Sequence, residues 1–166
     1  SVTNLAPSTT YYLRAYATNS VGTGYGNEIS FATNAVVLPS LSTSPINDIT
    51  ENSAITGGTI TNDGGGTITA RGVVWDSQQN PTVSLTTKTV DGINIGSFVS
   101  TISNLAAETM YYARAYATNS AGTVYGNEIN FTTLPEIKSA VGIVFDADSN
   151  IYQTVDINGQ VWMTEN

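Results

Sequence analysis

The sequence predicts an all-β protein in which a sandwich module recurs. Three observations carry that prediction. Charged residues make up only 11% of the chain and the helix formers Lys, Glu and Leu are scarce, whereas Thr, Ser, Asn and Gly abound. Thr, Val and Tyr recur at alternate positions, as in Thr67-Ile68-Thr69 and Tyr12-Leu13-Arg14-Ala15-Tyr16, the period of a strand. Residues 1–33 also align with residues 101–133 without a gap, and 22 of the 33 positions are identical. A repeat of that kind is the first thing to explain.

The repeated unit reads as a β-hairpin. Alternation puts Tyr11, Leu13, Ala15 and Ala17 on one face, expected to be core, and Tyr12, Arg14 and Tyr16 on the other, expected to stand outward. "NSVGTG" at 19–24 and "NSAGTV" at 119–124 hold the Asn, Ser and Gly of a tight turn. The return strand runs from Tyr25 to Phe31, with Ile29 and Phe31 sharing a face. The copies lie 100 residues apart, too far for a solenoid repeat and about the size of one Ig-like sandwich.

Leu5-x-Pro7-x-Thr9-x-Tyr11 resembles the tyrosine corner of fibronectin type III domains, and "YLRAYATNSVG" their F strand and FG turn. The second copy keeps Leu105, Thr109 and Tyr111 but has Ala107 at the proline position. The wording "RAYATNSxGTxYGNExxFxT" is similar to the fibronectin-like repeats of bacterial surface proteins. The resemblance implies that each corner Tyr packs inward and that its hydroxyl bonds back to upstream backbone.

Between the copies the remaining strands follow in order. "NAVVLP" reads as a short linker, and "VVLPSLSTSPINDI" as an extended first strand whose Pro39 and Pro45 suit a sheet edge. "SAITGGTITNDGGG" is a strand and a Gly-rich turn. "TITARGVVWDS" alternates and brings Trp75 to the position of the sandwich tryptophan. "VSLTTKTV" and "GSFVSTISNL" supply two more, for about seven strands in 38–133, the number such a sandwich needs. The expected units are therefore a closing hairpin over 1–33, a complete fibronectin type III-like module over 34–133, a linker over 134–140 and a further β-unit over 141–166. The first unit lacks its opening strands, so the expectation is a piece of a longer protein or a hairpin completed by another chain.

The last unit reads as three strands, about 141–146, 150–157 and 160–164, joined by turns at "DADSN" and Asn158-Gly159. Asp146, Asp148, Asn150, Tyr152, Val155, Ile157, Gln160, Trp162, Met163, Glu165 and Asn166 resemble the opening of the Fibrobacter succinogenes major paralogous domain, with Ser149 replacing its usual turn Gly. That family implies a secreted or cell-surface bacterial protein and brings no activity that transfers to these residues. Both ends of the chain are expected to be incomplete modules.

Composition excludes several functions. With no Cys and no His there is no thiol nucleophile, no His or Cys metal ligand, no Ser-His-Asp triad and no disulfide. Five Lys+Arg against thirteen Asp+Glu, net −8, repel phosphate backbones, so no nucleic-acid partner is expected. No apolar run reaches the length of about 18 residues that a membrane helix needs, and "SVTNLAPSTT" lacks signal-peptide character.

Three candidate sites remain. Asp146, Asp148 and Asn150 have the spacing of the first oxygen ligands of a calcium loop, but Ile151 and Ile157 stand where an EF-hand needs Gly and a bidentate Glu. The competing reading is an Asx-rich turn. The rows Tyr12-Arg14-Tyr16 and Tyr112-Arg114-Tyr116 offer aromatic and guanidinium faces to a glycan or a protein, against the plainer reading of surface ladders and Arg–Tyr stacks. Glu28 and Glu128 are repeat-equivalent, which argues against a catalytic carboxylate pair because such pairs sit within about 5–10 Å. Asp63 and Gly64 to Gly66 lack the Lys or helix start of a phosphate loop. Asn130-Phe131-Thr132 is a glycosylation sequon by letters, placed in a strand.

The expected function is that of a non-catalytic, extracellular modular segment, a spacer or adhesive stalk with no cofactor unless calcium, whose expected partners are neighbouring modules of the same or of identical chains and a glycan or surface protein. The alternatives are a carbohydrate-binding accessory region of a secreted polysaccharide-degrading protein, using the Tyr/Arg rows or Trp75, and a fibre subunit assembled by strand complementation.

Overall fold

A computed structural model describes residues 1–136, 139–148, 150–157 and 159–163. Among the described residues all regular structure is β. The strands are β1 (Thr10–Leu13), β2 (Tyr16–Thr18), β3 (Thr23–Tyr25), β4 (Ile29–Ala32), β5 (Ser40–Thr43), β6 (Ser53–Asn62) and β7 (Ala70–Asp76). They continue with β8 (Gly96–Ser103), β9 (Met110–Asn119), β10 (Gly122–Tyr125), β11 (Ile129–Thr132), β12 (Ser139–Phe145), β13 (Ile151–Ile157) and β14 (Gln160–Met163).

Strands β5 to β11 form the sandwich. One sheet is ordered β5-β6-β8; in the other, β9 pairs with β7 on one edge and with β10 and then β11 on the other. All these pairings are antiparallel. The fold is an Ig-like, fibronectin type III-like β-sandwich, as the repeat length predicts. Alternation delivers Ala54, Ile60, Phe98 and Ile102 from the first sheet against Val73, Trp75, Ala113, Ala115, Ala117 and Phe131 from the second. Trp75 is 9% exposed within this core. The sheets approach closely at Gly58, where a Cβ would lie 2.7 Å from the Ala115 Cβ, so no larger residue fits there without movement.

Polar groups inside the sandwich are paired. The Thr43 hydroxyl accepts from Ala115 N at 3.0 Å and the Thr56 hydroxyl donates to Ser44 O at 2.8 Å. Among the described residues no buried side-chain nitrogen or oxygen lacks a partner, which avoids a cost of about 1–3 kcal/mol per group.

The strand expected over 83–90 is not a regular strand. Residues 86–92 run along the free edge of β7 through Thr89 N to Val73 O at 2.8 Å, Asp91 N to Arg71 O at 2.7 Å and a bridge between Val74 and Lys88. The ladder is irregular because Lys88 N donates locally to Thr86 O and the Thr89 hydroxyl accepts from Val73 N.

Both ends of the sandwich are tied down. On entry, Val37 N donates to Gly64 O at 2.9 Å, and the Asn119 side-chain amide donates to Val37 O and Asp63 O at 2.7 and 2.8 Å. On exit, Leu134 N donates to Thr50 O at 3.0 Å.

Residues 1–33 form the expected hairpin, with one difference. The strand expected as continuous is split into β1, paired with β4, and β2, paired with β3. Its counterpart β9 runs unbroken because β7 pairs with it from Tyr112 to Thr118 and Thr43 receives Ala115 N. Arg14 and Ala15 have no such neighbours, so the strand relaxes between its two pairings. Strands β12, β13 and β14 form an antiparallel meander, as expected from residues 141–164. Gly159 at φ 83° makes the second turn with its N–H on the Asp156 carboxylate; Asn158 and Ser149 lie outside the described residues, as do Glu165 and Asn166.

Candidate functional site

The two hairpins are built from the same local bonds. Tyr11 and Tyr111 accept from Ala6 N and Ala106 N at 2.8 and 3.0 Å, the back-bond that the tyrosine corner implies. Thr33 and Thr133 hydroxyls each donate to the carbonyl of Ala6 or Ala106 at 2.6 Å. Tyr11 stacks on Phe31 as Tyr111 does on Phe131, with ring centroids 5.9 Å apart in both. Asn4 and Asn104 share a positive φ of 59° and 60°, and Ser8 and Glu108 one of 49° and 50°. The corner, the backbone turns at these positions and the ring stack are therefore encoded within about thirty residues, whatever packs against them.

What differs is the covering. In the second copy Ala113, Ala115 and Ala117 are fully buried and Phe131 is 6% exposed. In the first, Leu13 is 41% and Phe31 38% exposed, and Ala15, Tyr16, Ala17, Gly24, Tyr25 and Gly26 line an open apolar groove. The core face predicted for residues 11–17 exists as a face, but no sheet among the described residues covers it.

The Tyr/Arg rows do not behave as a uniform display. Tyr116, expected to point outward, is 3% exposed. The edge segment 86–92 folds over it, and its hydroxyl donates to Thr89 O at 2.7 Å. Burial, then the Asp91 carboxylate and Tyr125, push its phenol pKa above the usual 10.0. Arg114 lies 4.5 Å over the Tyr125 ring, with its Nε donating to Gly126 O, and Arg14 repeats this 5.1 Å over Tyr25. The stacking partner is thus the Tyr of the return strand rather than one in the row. Tyr112 remains half-buried, whereas Tyr12 and Tyr16 of the first hairpin are 70% and 72% exposed. Trp75, packed in the core, presents no ring to a sugar.

Sequence reasoning missed the residues by which the second hairpin grips the rest of the sandwich. Tyr125 OH accepts from Val83 N at 3.0 Å, the Glu128 carboxylate accepts from Asn80 N, and Asn127 Oδ1 accepts from Thr43 N at 3.0 Å. With Tyr116 and Asn119 these make five side chains that reach out of the hairpin. The signal was present in the repeat: all five recur as Tyr16, Asn19, Tyr25, Asn27 and Glu28. A second polar cluster, in which the Asp91 carboxylate accepts from the Thr89 and Ser100 hydroxyls, anchors the edge segment to β8.

At the third candidate, Asp146 turns its carboxylate into its own loop. Oδ1 accepts from Asp148 N and Asn150 N, both at 2.9 Å, and Oδ2 from the Asn150 amide at 2.8 Å and Tyr152 OH at 3.1 Å. These bonds, the Asn150 amide foremost, hold its pKa below the ordinary 3.8. This is Asx-turn geometry, and no cluster of three acidic side chains suited to a metal occurs among the described residues. Glu28 and Glu128 serve separate hairpins, and Asp63 accepts from Gly65 N at 2.8 Å as a turn residue.

No protein-family model matches the chain, and no curated protein does. Solved structures are similar to it at low identity. A sensor domain of the anti-sigma factor RsgI4 in Pseudobacteroides cellulosolvens is 20% identical over 61% of this chain and 100% of that one, with a TM-score of 0.45. A multidomain structure from titin is 19% identical over 74% of this chain and 40% of that one, with a TM-score of 0.44. A fibronectin type III domain derived from human KIAA0970 protein is 14% identical over 57% and 73%, with a TM-score of 0.40.

Proposed function

We propose that this chain is a non-catalytic modular segment of an extracellular protein, acting as a spacer or adhesive stalk. The observation that carries the reading is how the sandwich uses its polar side chains. Tyr116, Asn119, Tyr125, Asn127 and Glu128, the residues a binding surface would draw on, are each bonded to backbone of the same sandwich. Such a unit holds its neighbours at a set distance. The meander of β12 to β14 is read as the start of the next module, in keeping with the family resemblance of residues 146–166.

Pulling the full chain by its ends tests the reading. Residues 40–132 are expected to yield in one discrete event that adds about 300 Å of contour, at about 3.3–3.6 Å per residue. Gradual extension with no discrete event overturns it. Glycan capture that Tyr112→Ala abolishes would replace it with the carbohydrate-binding alternative.

A further inference from the structure

We propose that the open face of residues 1–33 is a docking surface for a second sandwich body, related to residues 34–100 but not identical to them. This goes beyond the spacer reading by naming the chemistry of a partner. The second hairpin shows what covers such a face: strands β5 to β8 with their loops, through apolar contact and five polar grips. The first hairpin keeps all five grips, as Tyr16, Asn19, Tyr25, Asn27 and Glu28, and holds the same backbone turns and ring stack without a partner. It is thus preorganised for a body that offers backbone N–H groups to Tyr25, Asn27 and Glu28 and carbonyls to Tyr16 and Asn19. Ala15 repeats Ala115, whose Cβ would lie 2.7 Å from a Cβ placed on Gly58, so a partner that packs in the same way needs a glycine there.

Three inward positions break the repeat; Val2 for Ile102 is a small change, and the other two set the choice of body. Leu13 replaces Ala113, which is 0% exposed in the packed core, and Gly24 replaces Val124, which packs against that core. Placed on this chain's own body, the first hairpin would overfill one end and leave a void at the other. The mismatch guards against the two hairpins exchanging places between copies of this chain, and it points to a body with more room opposite Leu13 and more bulk opposite Gly24.

The test fuses residues 34–100 directly ahead of Ser1 of the full chain, once with the hairpin unchanged and once with Leu13→Ala and Gly24→Val. In the doubly substituted fusion the amides of Ala15 and Ala17 are expected to exchange at least a hundredfold more slowly than in the unfused chain. In the unchanged fusion their protection is expected to be at least tenfold weaker than in the substituted one. If neither fusion slows exchange, the docking surface is overturned; if both protect equally, the selectivity is. A dimer of the unfused chain that forms with rising concentration and is lost on deleting residues 1–33 would overturn the proposal in favour of a second copy. The force measurement reads residues 40–132 and is independent of these outcomes.

Discussion

At the scale of single residues, the side chains that matter most are those where backbone passes close by. A Cβ on Gly72 would lie 2.2 Å from Thr89 O, where the edge segment crosses β7. Gly72→Ala is therefore expected to destabilise the sandwich by about 1–3 kcal/mol, the usual cost of forcing atoms into a packed site, read by urea unfolding. Tyr116 sits on the same crossing. Tyr116→Phe removes the bond to Thr89 O and is expected to cost about 1 kcal/mol. Its raised pKa fixes the sign of a pH effect. The folded state holds the phenol proton more tightly, so its contribution is complete below the usual 10.0 and is lost as pH rises through the higher folded value. Tyr116→Phe should flatten that alkaline loss; an alkaline limb equally steep in the variant speaks against the assignment. Alternation alone places Tyr116 outward, and so it does stand off the sheet. Its burial comes from the loop 77–95, whose course is written in irregular bonds that no periodicity reports.

At the scale of elements, the repeat separates local from tertiary instruction. Corner, turn and ring stack form alike in both copies, so they were legible in residues 1–33 alone. Strand length was not: nearly the same letters make the ten-residue β9 beside β7, and two short strands without it. Hydrogen-bond partners decide where a ladder runs unbroken. The meander turn at Asp146 makes a further prediction. Because its carboxylate is held below 3.8 by Asn150, Tyr152 and Asp148, the turn is complete above that ordinary value and is lost as pH falls through the lowered one. The amide shifts of Asp148 and Asn150 should titrate together on the acid side of 3.8; shifts centred above it count against the carboxylate bonds.

At the scale of the whole molecule, the sandwich was legible because three signals agreed: repeat length, alternation and turn residues all pointed to one architecture. The grips between hairpin and body were harder to read, since an Asn, Tyr or Glu in a turn looks the same whether it reaches solvent or a strand eighty residues away. Only the comparison of the covered and open hairpins shows their role. The exposed Leu13, Ile29 and Phe31 form the kind of apolar sheet face that soluble proteins cover, and the fusion experiment measures what covers it.

The ties at Val37 and Leu134 have a consequence for shape. Because the incoming chain is fastened to Asn119 and Gly64, and the outgoing chain to Thr50, little backbone is left free at either pole of the sandwich. On entry only Ala35 and Val36 separate these bonds from the one by which Ser8 N donates to Asn34 O, so a sandwich held in this way turns as a rigid link. A stalk made of such links would flex like a chain of rods, with its stiffness set by the rod and its reach by how few joints it has.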